Sequence, residues 1–262
     1  MTTYSVEELR RAVGALESGR FRGDSMLRQE AASEWRPPGE ALAVVGVLPR
    51  SGASVVALAL AESAERPVHL VEAGPSHRSS LASASTAELG AIDESWRRSR
   101  RGAVLIDRLA SSPRLPNEVG PPPSSDGQLT ILDVGWETSA LVRDEHWLSR
   151  QVGSMPTVLV ATASGPGLRA LDSSLADLHD SQIEAAVVVG SSQRRWGWPL
   201  KVASSTSAIQ HLRDSGRLFT VPLDSELAAT GVTTDPLPAA LLRGARSVLA
   251  RVAGPQEPRE LA

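Results

Sequence analysis

Cysteine is absent from the 262-residue chain, which excludes disulfide bonds and thiolate metal sites. Lysine is nearly absent as well. Among 27 basic residues only Lys201 is a lysine, so any chemistry that depends on a lysine has that one or none. The abundance of Ala, Gly and Pro beside it fits a compositional preference for arginine. Aromatic residues make up 3% of the chain. No apolar run approaches the 18 residues of a membrane span, and the N-terminus has no apolar signal region, so a cytoplasmic protein without stable membrane insertion is expected. The five histidines (His69, His77, His146, His179, His211) show no metal-ligand spacing. No G-x-S-x-G nucleophile elbow occurs either.

What is present is an ordinary soluble composition, 41% apolar and 22% charged with a net charge of −3. That balance gives no global attraction to nucleic acid or lipid. In residues 1–39, Val6, Leu9, Val13 and Leu16 recur at helical spacing behind Ser5 as an N-cap. A polar linker ending Trp35-Arg36-Pro37-Pro38-Gly39 follows. The Arg22-Gly23-Asp24 triplet is read as chance. From residue 40 to 253 short β-branched runs alternate with longer helical ones. Strands are predicted at 41–48, 67–73, 102–109, 128–134, 156–162, 185–191 and 217–223. Helices are predicted around 54–64, 78–100, 138–152, 166–180, 204–215 and 238–252. Continuously apolar strands separated by helices imply an α/β fold: a single domain with a mostly parallel, doubly wound sheet of seven to eight strands. Residues 254–262 read as a disordered tail.

Ligands of such sheets collect at the C-terminal strand ends. The first strand runs into Gly46-Val47-Leu48-Pro49-Arg50-Ser51-Gly52-Ala53-Ser54 and then a helix. Strand, glycine turn, hydroxyl residue and helix form the layout of a phosphate loop, with Ser54 where a Mg²⁺-binding hydroxyl would sit. The position before that hydroxyl, however, is Ala53. Arg50 lies in the same turn, and Pro49 removes one N–H from the cradle. The alternative is a tight turn with no ligand.

From Ala41 to about Val252 the ordered segments resemble the ParA/MinD-type deviant Walker NTPases. SGASVVALALAES resembles that family's loop and helix, VHLVEAGP its second strand with a D-x-D-P ending, and ILDVGW its Walker B strand and switch II. TVLVATASGPGLRALDSSL, VVVGSSQRRWGW and FTVPLDSELAATGVTTDPLP resemble its C-terminal third. The departures fall on the chemistry. The family's two loop lysines correspond to Leu48 and Ala53, the two acids of D-x-D-P to Glu72 and Gly74, and the base-proximal asparagine to Gly190. Arg50, Ser51, Gly52, Ala53, Ser54, Asp133, Gly135, Pro222 and Asp224 then make up the nucleotide-side set, with Ser54 and Asp133 as metal groups only if Mg-nucleotide binds. Asp133 is either a Walker B acid or a strand-end cap, Glu72 either a site acid or a solvated strand-end acid, and Pro222 and Asp224 either base neighbours or turn residues.

The resemblance implies a degenerate, non-enzymatic relative: a cytoplasmic accessory protein of positioning, DNA partition or transfer, or secretion-system assembly. Such a protein requires no cofactor, holds ATP or ADP with Mg²⁺ weakly at most, and has a protein partner or a homodimer as its working state. The competing reading is an active ATPase with an altered loop, Arg50 or a residue from a dimer partner replacing the lysine. Two further clusters stand out. Arg97, Arg98, Arg100 and Arg101 beside Trp96 read either as a solvated helix face or as a nucleic-acid contact. Trp196 and Trp198 beside Arg194 and Arg195 read either as loop packing or as a binding anchor.

Overall fold

The computed structural model describes residues 35–252, except residues 79, 126–128, 144 and 179–181. The expected N-terminal helix, the Arg-Gly-Asp triplet, His179 and the C-terminal tail lie outside the described residues. Nine strands form one sheet: β1 (Glu40–Gly46), β2 (Val68–Glu72), β3 (Ala87–Ala91), β4 (Trp96–Arg101), β5 (Val104–Leu109), β6 (Leu129–Asp133), β7 (Thr157–Thr162), β8 (Ile183–Val189) and β9 (Leu218–Val221). Their order is β3-β4-β5-β2-β6-β1-β7-β8-β9. All neighbours pair in parallel except β3 with β4 and β4 with β5.

Both faces of the parallel part are covered, which explains its unbroken apolar runs. On one face lie α1 (Ala53–Ser63) and the last helix, α8 (Ala239–Val252), packed on Leu42, Val44, Leu70, Ile131, Val158 and Val187. Leu241, Ala245, Val248 and Val252 of α8 form its buried apolar stripe. The other face carries α2 (Thr138–Leu141), α3 (Trp147–Ser154), α4 (Gly165–Asp177), α5 (Trp198–Ala203) and α6 (Ser207–Asp214). A short α7 (Ser225–Thr230) follows β9. Trp35 packs edge-on against Trp147, with ring centroids 5.3 Å apart. Trp35, ahead of β1, is thereby joined to α3.

The expectation of a helix over residues 78–100 is corrected. This stretch holds two of the nine strands, so the sheet exceeds the seven to eight predicted. Asp93 Oδ1 accepts the N–H groups of Ser95 and Trp96, closing the β3–β4 turn. Gly102, at φ 56°, turns β4 into β5 through Gly102-Ala103. The four arginines therefore do not share a helix face. Successive side chains leave opposite faces of β4, and their environments differ accordingly. Arg98 makes two 2.7 Å bonds to the buried Asp107. Arg101, 6% exposed, pairs with Glu62 and donates to the carbonyls of Ala84 (2.9 Å) and Asp235 (2.6 Å). Only Arg97 and Arg100 remain exposed.

Candidate functional site

Three strand ends meet at the centre of the sheet's C-terminal edge. β1 lies between β6 and β7, and β6 pairs on its other side with β2. The turn after β1 carries two left-handed residues, Arg50 at φ 60° and Gly52 at φ 89°. Glycine adopts that conformation freely, whereas at Arg50 it costs about 1–2 kcal/mol. Gly52 then serves as the N-cap of α1 without any side-chain cap. The opening amide N–H groups and the positive end of the helix dipole thus face the strand edge, an arrangement suited to an anion. Ser51 is buried beneath the loop, and its hydroxyl lies 2.6 Å from where a Cβ on Gly46 would stand. The Arg50 side chain is exposed.

Glu72 and Asp133 are register partners at the ends of β2 and β6, so both side chains leave the same face of the sheet. That face is the one α1 covers. Glu72 is 3% exposed and Asp133 1%, which corrects the alternative of a solvated Glu72. The alternative of Asp133 as a turn cap fails too, because neither of its oxygens has a hydrogen-bond partner of ordinary geometry among the described residues. Burial pushes the Asp133 carboxyl up to about 6, although the neighbouring Ser54 hydroxyl favours its ionised form. Ser54 and Asp133 are thus brought together.

Beyond these strand ends the backbones of Gly74 and Gly135 touch. A Cβ on Gly135 (φ 69°) would fall 2.3 Å from the Cα of Gly74, and one on Gly74 would fall 3.0 Å from the Cα of Gly135. The contact is held by Trp136, whose indole N–H donates to the Ala73 carbonyl at 2.9 Å. No side chain fits at position 74 without moving this backbone. Asp224 is committed elsewhere: its carboxylate caps α7 by accepting the N–H groups of Glu226 and Leu227, each at 3.0 Å. Pro222 is exposed just past β9. The two tryptophans separate. Trp196 is buried and donates to the Ser191 carbonyl at 2.8 Å, whereas Trp198 is 78% exposed at the start of α5.

No family model and no curated protein sequence matches the chain. Solved structures do. Apo McdA from Cyanothece is 12% identical with a TM-score of 0.54, over 80% of this chain and 99% of that one. A plasmid partition protein from Borrelia burgdorferi bound to AMPPNP is 11% identical with a TM-score of 0.51, over 80% and 98%. The MinC:MinD cell division protein complex from Aquifex aeolicus matches at 13% identity and a TM-score of 0.52, over 81% and 96%. The chain has the ParA/MinD fold.

Of a magnesium–nucleotide complex, the residues present would meet the metal with Ser54 and Asp133 and the phosphates with backbone N–H groups at the start of α1, without a loop ammonium. Ser54 and Asp133 offer oxygen donors side by side. Around the phosphate position Leu48 and Ala53 bring no charge, Pro49 brings no N–H, and the one loop cation, Arg50, points its exposed side chain from a strained turn. Sequence reasoning did not anticipate that Glu72 is buried in register with Asp133. Its signal was the parallel alignment of VHLVE with LTILD, each ending in an acid after four largely apolar positions. Nor did it anticipate the Gly74–Gly135 contact, which no local pattern encodes.

Proposed function

We propose that the chain is a non-hydrolysing protein of the ParA/MinD fold, acting as an accessory, partner-binding factor in cellular positioning, DNA partition or transfer, or secretion-system assembly. One observation carries this reading: the scaffold of the site is kept while the groups that would act on a triphosphate are replaced by Leu48, Ala53 and Gly74. Lysine at the loop neutralises charge developing on a transferred phosphoryl group, and a second acid helps to organise the attacking water. Ala53 cannot take the first role. A side chain at position 74 would require the Gly135 backbone to give by a few tenths of an ångström. Contact with nucleotide is then limited to backbone N–H groups at the start of α1, with Ser54 and Asp133 as the residues that would hold Mg²⁺ beside it, supplying charge neutralisation there.

The partner-binding half of the reading draws on the structural relatives, one of which was solved as a complex with MinC. The arginine cluster is a weaker candidate for nucleic acid, since Arg98 and Arg101 are consumed within the domain. Phosphate release from ATP by the purified full chain, with and without Asp133→Ala, tests the proposal. We expect background rates from both. Release by the wild type that disappears in the variant favours the active-ATPase reading, with Arg50 in the lysine's place.

A further inference from the structure

Trp198 is the most exposed large apolar side chain among the described residues, at 78%. It opens α5, a helix in which no residue is buried. Leu200 and Ala203 rest half-buried against the core, whereas Trp198, Lys201 and Val202, spaced i, i+3 and i+4, share the solvent-facing side. Pro199 is exposed beside them. The loop leading into the helix is pinned at two points. Trp196 is buried with its indole N–H on the Ser191 carbonyl at 2.8 Å, and the Gln193 amide donates to the Leu218 carbonyl at 3.3 Å. Arg194 and Arg195, both exposed, belong to that loop. A large, stiff indole on a fixed base loses little freedom when it is covered, and so makes a strong interface anchor.

Charge selects the occupant. Between Glu184 and Asp214 the chain carries no acid, and its lysine and arginine residues there are Arg194, Arg195, Lys201 and Arg213. Arg213 is engaged with the side chains of Gln193 and Ser204, at 3.2 and 3.0 Å. The charged groups of the other three make no hydrogen bond or ion pair among the described residues. A second copy docked about a two-fold axis would set these cations against themselves. A nucleic acid would meet the cations, but it would leave Pro199 and Val202 without an apolar counterpart and approach a chain of net charge −3. A protein segment with carboxylates around an apolar residue matches both parts of the patch.

We propose that the solvent-facing side of α5, with Arg194 and Arg195 ahead of it, is a docking surface for an acidic, apolar-centred segment of a protein partner, anchored on Trp198. The inference rests on the partner-binding half of the proposed function and gives that partner its chemistry.

A random peptide library displayed on phage is the probe, selected on the immobilised full chain and screened again on Trp198→Ala. The peptides returned should carry more Asp and Glu than Lys and Arg, around at least one large apolar residue. A synthetic copy of the strongest binder should bind Trp198→Ala and the double variant Arg194→Glu/Arg195→Glu at least tenfold more weakly than wild type, and should weaken as salt is raised. Trp198→Ala itself should melt within about 2 °C of wild type, because an exposed side chain carries little stability. Basic or neutral peptides overturn the proposal, as does a library that yields no binder. A DNA duplex or a phosphatidylglycerol vesicle whose binding falls tenfold in Trp198→Ala overturns it in favour of nucleic acid or lipid. A dimer that dissociates in Trp198→Ala overturns it in favour of a second copy, and a much lower melting temperature in favour of another segment of this chain. Peptides that bind wild type and Trp198→Ala alike overturn the surface while leaving the partner-binding reading in place. Phosphate release reads hydrolysis separately, so the two readings fail on different results.

Discussion

At the residue scale Asp133 is the most telling side chain. Its folded-state value of about 6 lies above the ordinary carboxylate value of 3.8 because the charged form is desolvated. Between those two pH values the folded chain holds a proton that the unfolded chain has released. Stability contributed by the neutral carboxyl is therefore fully present near pH 4 and is lost as pH rises through about 6. At 1.36 kcal/mol per unit the loss is on the order of 3 kcal/mol. Asp107 shows the opposite balance. Burial would raise it, but the paired bonds from Arg98 and the bond from His69 outweigh that effect and hold it below its usual value. Its contribution is lost only as pH falls below the ordinary carboxylate range. The two residues are separable by difference. In chelator-containing buffer, wild type should lose thermal stability relative to Asp133→Asn between pH 4 and pH 7, with the variant the more stable at pH 7. Parallel melting curves for the two proteins across that range would remove Asp133 as the source.

At the element scale the β3–β4 hairpin shows where a sequence conceals its structure. The parallel strands were legible because each is a continuous apolar run between polar turns, and α8 was legible because its stripe repeats at helical spacing. The segment WRRSRR offers no hydrophobic period, since its buried positions are Trp96 on one face and Ser99 and Arg101 on the other. An arginine turned inward looks the same in sequence as one turned to water. Arg101 is the member that matters structurally. Its planar guanidinium reaches Glu62 on α1, the Ala84 carbonyl, and the Thr233 and Asp235 carbonyls before α8, four acceptors in three separate segments. An ammonium cannot span that fork. Arg101→Leu should cost about 3–5 kcal/mol, because Glu62 and the carbonyls lose their partner. Arg101→Lys should recover less than half of the loss. Urea unfolding of both variants reads this directly, and a lysine variant as stable as wild type would mean that charge alone, without the fork, holds the hairpin to the domain.

At the scale of the whole molecule, the site is assembled from the ends of β1, β2 and β6, which are separated in sequence but adjacent in the sheet. That is why only part of it could be read from sequence. The phosphate-loop layout and the loss of its lysine are local, visible in the nine residues from Gly46 to Ser54. The pairing of Glu72 with Asp133 and the close approach of Gly74 to Gly135 depend on which strands become neighbours, and no short pattern reports that. The same dispersal decides what a single reversion can achieve. Ala53→Lys places an ammonium at the start of α1, beside Asp133 and the free N–H groups, and a charge-assisted hydrogen bond there is worth about 1.5–3 kcal/mol. Nucleotide affinity should therefore rise roughly tenfold or more, as followed by a fluorescent ATP analogue. Hydrolysis should not follow, because the acid missing at position 74 lies past the end of another strand, against the backbone of Gly135. Phosphate release from Ala53→Lys should remain at background even at saturating ATP. Turnover by that single variant would mean that the lysine was the only missing part, and that the closed contact between β2 and β6 opens when nucleotide is present.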